Sequence, residues 1–256
     1  MQSHGLRLQT AKSSVMSWML TEPVSRTRKT IIKKAIFMTL TEAITARHSV
    51  RSFTDRKIDD SIAAELQKTI DDCNRLSGFR IQLMLDEPNA FSTRMAHYGN
   101  FHNCKNYIAM IGPKGHDEDC GYYGEKIVIK AQQLGLNSCW VAVSYGKSKV
   151  PCNIPHGQKL YMVIALGYGT THGTQHKSKS MDELCKVVGD MPPWFFNAMT
   201  LAMLAPTAVN QQKFLFTLDN DTVRAKALRG FYSKTDLGIA KYHFEIGAGD
   251  AEFKWS

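Results

Sequence analysis

Apolar and polar positions recur along this chain with two periods, and the change-overs are marked by capping residues. Thr39-Leu40-Thr41-Glu42 is a capping box, in which Thr39 and Glu42 satisfy each other's backbone donors, so a short helix is predicted over Thr39–Ala46. Asp59 or Asp60 caps a second helix that carries Ile62, Leu66, Ile70 and Cys73 on one face and stops at Gly78. Phe79, Ile81, Leu83 and Leu85 then alternate with Arg80, Gln82 and Met84, the period of two of a half-buried strand. Tyr107–Ile111 is continuously apolar and reads as a central strand. A helix over Tyr123–Leu134 turns Ile127, Ala131 and Leu134 inward and ends at Gly135; strands at Ser138–Val143 and Tyr161–Leu166 follow.

Ser180 and Glu183 form another capping box, which opens a helix over Met181–Val188. Pro192-Pro193 starts a helix running to about Leu204, since proline is tolerated in a first turn. Phe214, Phe216 and Leu218 alternate as a strand. Asp236 caps a last helix, Leu237–Ile246, with Ile239, Tyr242, His243 and Ile246 on one side. The order helix, polar loop, alternating strand, connecting segment and long helix thus occurs twice. An internal duplication is expected, with halves of about 38–179 and 180–256.

With 43% hydrophobic and 21% charged residues over 256 positions, the chain can bury one substantial core or two small ones. No apolar run approaches the roughly 18–20 residues that span a bilayer, so no membrane partner is predicted. Six scattered cysteines without a C-x-x-C pair fit a reducing, cytoplasmic setting. The net charge of +9 is uneven: residues 1–37 hold seven Lys/Arg and one Glu, and the remaining 25 Lys/Arg and 22 Asp/Glu leave only +3. The body therefore lacks the basic, aromatic-studded face of a nucleic-acid binder. Residues 1–37, rich in Ser, Thr and basic residues, suit an organelle-targeting leader or a dispensable extension ahead of Met38.

Two segments carry the candidate chemistry. Arg47-His48-Ser49-Val50-Arg51 gathers two guanidiniums, an imidazole and a hydroxyl, a set suited to a phosphate; alone it reads equally as a solvated basic loop. Pro206-Thr207-Ala208-Val209-Asn210-Gln211-Gln212 joins small residues to carboxamides that can read a polar heterocycle edge, although Pro206 and Asn210 would serve a helix-terminal turn as well. His172 and His176, spaced i, i+4, flank Gly173 in a polar loop, and no metal site is predicted there or at His97, His102 and Cys104.

Spelled this way, both segments resemble the FMN-dependent nitroreductases, whose members carry an Arg-x-Ser-x-Arg-like opening and an Ala-Pro-Ser-Ala-x-Asn-x-Gln-like segment. Ala165-Leu166-Gly167-Tyr168-Gly169 with His176-Lys177-Ser178-Lys179 is similar to the family's strand-Gly-Tyr turn and Lys-x-Arg pair, and Gly124–Trp140 to its long helix ending in Leu-Gly-Leu-x-x-Cys-Trp. Lys213-Phe214 departs from the family's Pro-Trp. The resemblance implies an α+β nitroreductase-like fold, a mostly antiparallel central sheet flanked by helices. It implies FMN, with its phosphate held by Arg47, Ser49 and Lys179, supported by His48, Arg51 and Lys177. Pro206, Thr207 and Ala208 would lie against the ring, Asn210 and Gln212 near its polar edge, and Val141 and Ala142 behind its other face. No protein residue is expected to be catalytic, because hydride passes through the flavin N5 from NADH or NADPH to a nitroaromatic, quinone or related acceptor. The implied assembly is a pseudo-dimeric monomer with one flavin site, or a homodimer; a flavin carrier or redox sensor is the alternative function.

Overall fold

The computed structural model describes residues 38–256; the reading of 1–37 as an extension or leader lies outside them. Helix α1 (Leu40–Ala46) opens with the expected box, Thr39 and Glu42 bonding each other's backbone. Helix α2 (Asp60–Ser77) buries Leu66, Ile70 and Cys73 and ends on Gly78 at φ +70°, a left-handed conformation that glycine adopts without steric cost.

Strands β1 (Gln82–Met84), β2 (Asn106–Pro113), β3 (Asn137–Val141) and β4 (Gln158–Gly167) form one sheet in the order β1-β2-β4-β3, antiparallel throughout. The two central strands are apolar along their length because both faces are covered. Tyr107, Ala109, Ile111, Val163 and Ala165 enter the core on one side; Ile108, Met110, Met162, Ile164 and Leu166 enter the core on the other. The long alternating strand expected at Phe79–Leu85 is only three residues in the ladder, though Phe79 and Ile81 are buried as the pattern requires. Between β1 and β2 lies the short helix α3 (Arg94–Tyr98).

A second sheet follows β5 (Cys185–Val188), β6 (Phe214–Asp219), β7 (Thr222–Ala227) and β8 (Lys254–Trp255) in that order; the outer pairs are parallel and β6–β7 antiparallel. The helix expected over Met181–Val188 is corrected here. The Ser180–Glu183 box forms, but the helix α5 (Met181–Leu184) lasts one turn, and Cys185–Val188 pair with β6 instead. The two valines favour a pleated surface over a helix. Helix α6 (Pro193–Ala202) starts at the prolines.

Helices α4 (Asp117–Gln133) and α7 (Ser233–Ala248) join the two sheets. Both start ahead of their sequence positions. The acidic run Asp117–Asp119 forms the first turn of α4, and Asp236 lies inside α7 and not at its cap. Their crossing is reciprocal. A Cβ on Gly121 would stand 2.0 Å from the Thr235 carbonyl oxygen, and one on Gly238 1.9 Å from the Glu118 carbonyl oxygen. On each helix the glycine stands three residues after the carbonyl that the same helix offers to the opposing glycine. Among the described residues, no helix is long and apolar enough to cross a membrane.

Candidate functional site

The segment Arg47–Phe53 is pinned to the first sheet. Ser49 bridges Ser138 in parallel, Val50 N–H donates to the Ser138 carbonyl at 3.0 Å, and Phe53 bridges Gly169. This lays Ser49 and Arg51 along the edge of β3, where they form one wall of a cavity of about 630 Å³. The end of β3 and the turn after it, Cys139–Ser144, supply a second wall, and Pro206–Val209 a third. Phe231, Tyr232, Thr235, Asp236 and Ile239, at the start of α7, close the fourth. A volume in the hundreds of cubic ångströms with apolar walls and few convergent polar groups is what a small-molecule site presents.

Of the residues singled out in the sequence, Ser49, Arg51, Val141, Ala142, Pro206, Thr207 and Ala208 line this cavity together. Arg47, His48, Lys177, Lys179, Asn210 and Gln212 are not in its lining. Asn210 and Gln212 face away from it, into the basic loop. The Lys177 carbonyl accepts from Asn210 Nδ2 at 3.0 Å and from Gln212 Nε2 at 2.8 Å, and Lys179 N–H donates to Gln212 Oε1 at 2.8 Å. Gln212 Nε2 also donates to Asn210 Oδ1, so both ends of that amide are engaged. The carboxamides thereby tie the Lys177–Lys179 loop to the Pro206–Ala208 wall. Lys179 Nζ donates to the Gln212 carbonyl at 3.3 Å. Val209, Asn210 and Gln212 take φ of +47°, +54° and +47° to make this turn.

Two residues before the lining Ser49, Arg47 is 3% exposed and sits 3.6 Å (Nε to Oε1) from the fully buried Glu125 of α4. Its Nε and Nη1 have no hydrogen-bond partner. Glu125 Oε2 accepts from Trp140 Nε1 at 2.8 Å, and His243 Nε2 of α7 lies 3.0 Å from Oε1. The other His243 nitrogen faces the Leu201 carbonyl at 3.1 Å. Burial would raise the Glu125 carboxyl, but the bond to His243, the charges of His243 and Arg47, and the bond from Trp140 hold it below the ordinary value. One carboxylate thus gathers the basic loop, β3 and α7, all of which form cavity walls. Burial and the Arg47 charge, with a smaller push from His176, lower the His48 pKa. Burial raises the Cys139 thiol, against the lowering pull of the Arg51 charge.

Asp236 and Thr235 were not read as site residues in the sequence. Asp236 Oδ1 and Oδ2 accept from Ala208 N–H at 3.0 and 3.2 Å and Oδ2 from Gln211 Nε2 at 2.8 Å, fastening the third wall to the fourth. Its burial outweighs these bonds and pushes the pKa up to about 6. Thr235 Oγ1 is buried in the cavity wall without a partner. Among the described residues, no group of three or more His, Cys, Asp or Glu is gathered to hold a metal ion.

The family model described as "Putative TM nitroreductase" matches residues 39–248. A solved putative nitroreductase from Thermotoga maritima is similar at 23% identity over 85% of this chain and 87% of that one, with a TM-score of 0.60. A putative nitroreductase from Desulfovibrio desulfuricans in complex with FMN shares 17% identity over 60% of this chain and 96% of its own, with a TM-score of 0.46. A putative NADH oxidase from Clostridium acetobutylicum shares 19% identity over 50% of this chain and 87% of its own, with a TM-score of 0.40. No curated protein matches the chain.

Proposed function

The chain belongs to the TM nitroreductase family, and from that premise we propose that it is an FMN-dependent oxidoreductase using NADH or NADPH to reduce nitroaromatic, quinone or related small-molecule acceptors. The observation that carries the reading is the meeting of Ser49 and Arg51 with Pro206, Thr207 and Ala208 around one cavity, with a buried Arg47 on the same segment whose Nη1 lacks a partner. With Nε turned to Glu125, Arg47 Nη1 and the unpartnered Thr235 hydroxyl are buried donors of the kind a polar ligand satisfies, and this supports a fit to a flavin phosphate and ring.

In this reading Arg47, Ser49 and Lys179 hold the phosphate, with Arg51, His48 and Lys177 adding positive field. Glu125 fixes the Arg47 guanidinium through Nε and leaves the far side of the fork free. Pro206, Thr207 and Ala208 let backbone approach one ring face, while Val141 and Ala142 back the other. Asn210 and Gln212 serve by holding the basic loop against that wall rather than by touching the ring. FMN supplies hydride transfer at its N5, which is why no acid–base pair is needed in the protein. The apolar walls exclude water from the ring.

A single chain supplies every one of these walls, which supports a pseudo-dimeric monomer with one site. The reciprocal Gly121–Gly238 crossing supports two related halves. The test is an absorbance spectrum of the purified protein before and after NAD(P)H without air. A flavin spectrum that bleaches is expected. A bound flavin that stays oxidised would assign the protein to a carrier or redox-sensing role.

A further inference from the structure

Apart from the buried Asp236 in its wall, the segments framing the cavity contain no carboxylate over long stretches: no Asp or Glu occurs in 88–116, 126–181, 191–218 or 222–235. Arg94, Lys147, Lys149, Lys213, Arg229 and Lys234 lie in them. Lys149 packs beside Gly146, just after the β3 wall, and Lys213 beside Gly230, just before Phe231. None of these six pairs with a carboxylate among the described residues, whose ion pairs all lie elsewhere.

On these segments, a basic collar by their composition, the mouth of the cavity also carries apolar side chains that face water. Val143, Val209 and Phe231 line the cavity and are nevertheless 61%, 90% and 79% exposed; Tyr98, next to the lining residue Gly99, is 87% exposed. Val209 is held there at φ +47°, a conformation that a β-branched residue rarely adopts. Three separate loops therefore each present an apolar knob at one opening, and the end of helix α3 adds Tyr98 beside it.

We propose that this mouth docks on an anionic lipid bilayer. The knobs enter the headgroup layer and the lysines and arginines meet lipid phosphates, the pairing of apolar insertion with basic attraction by which proteins rest on a membrane without spanning it. A second copy of the chain would bring like charges together. An acidic protein partner would match the charge but would stopper the opening that the knobs surround. A bilayer leaves that opening in contact with lipid-soluble molecules. The docking stands on the surface alone; only delivery of a lipid-soluble acceptor such as a quinone rests on the flavoenzyme reading.

The test is co-sedimentation of the full chain with vesicles of phosphatidylcholine alone and of phosphatidylcholine mixed equally with phosphatidylglycerol. Binding to the mixed vesicles only, released at about 1 M salt, is expected. The bound/free ratio should fall at least tenfold for Phe231→Ser with Tyr98→Ser, and again for Lys147→Glu with Lys149→Glu, while circular dichroism of these surface variants is unchanged. Undiminished binding by both variants would place the membrane contact outside the collar and overturn the proposal, as would no binding of the unaltered chain. Retention on soluble polyglutamate that is insensitive to the aromatic changes, without vesicle binding, would assign the collar to an acidic protein instead. The assay needs no flavin, so its failure and that of the enzyme reading are distinguishable.

Discussion

Arg47 and Glu125 face each other at 3.6 Å with almost no access to water, and Glu125 is shared with His243 from the opposite half of the chain. Breaking such a pair from one side leaves an uncompensated buried charge, which costs about 3–5 kcal/mol. Glu125→Gln is therefore expected to lower the urea midpoint strongly. The native carboxyl is held below the ordinary glutamate value of 4.5, so its stabilisation is complete above that pH and is lost as pH falls through the folded value. Urea titrations across the acid range should show this loss in the parent protein and its absence in Glu125→Gln.

Lys179 tests the phosphate clamp with less damage to the fold, since its ammonium bonds only one backbone carbonyl. Lys179→Ala is expected to weaken FMN binding by about 1.5–3 kcal/mol, the worth of a charge-assisted hydrogen bond, with thermal stability of the flavin-free protein little changed. Fluorescence titration of FMN quenching reads the first quantity and circular dichroism the second.

Asp236 should behave in the opposite sense to Glu125. Its folded pKa of about 6 exceeds the unfolded value of 3.8, so the folded state keeps its proton longer and stability falls as pH rises from about 4 to about 6, then levels. Asp236→Asn keeps an oxygen to accept from Ala208 N–H and carries no charge. Relief of the shift is worth about 3 kcal/mol at pH 7, and loss of the bond from Gln211 Nε2 costs about 1 kcal/mol. A gain of about 2 kcal/mol and a flatter curve are therefore expected, as melting temperatures at pH 4.5 and 7 would report.

Gly121→Ala and Gly238→Ala would each push a methyl into the opposing helix's backbone. Each is expected to cost at least the 1–3 kcal/mol of ordinary overpacking. The double variant should lose less than the sum, because the first change already parts the helices. Denaturant unfolding of the three proteins checks this.

Local signals in the sequence located most elements. The capping boxes at Thr39 and Ser180, the stop at Gly78 and the buried run of β2 appear where their chemistry places them. What was not legible depends on distant partners. Cys185–Val188 became a strand because β6 lies alongside, and β7, with only Val223 and two alanines on its apolar side, gave too weak an alternation to be read. The same holds at the site. Ser49 and Pro206 announced themselves by residue type, whereas Asp236 looked like a helix cap, and its link to Ala208 appears only once α7 is folded beside the loop. Glu125 carries no signal of its own in the sequence, and its bonds to Trp140 and His243 appear only once β3 and α7 pack on α4.

The central claim is that one chain builds one complete flavin site, and equilibrium titration of the flavin-free monomer with FMN tests it most directly. The account predicts saturation at one FMN per chain with the protein monomeric throughout. Saturation only on dimerisation, or no binding at a large excess of FMN, would contradict it.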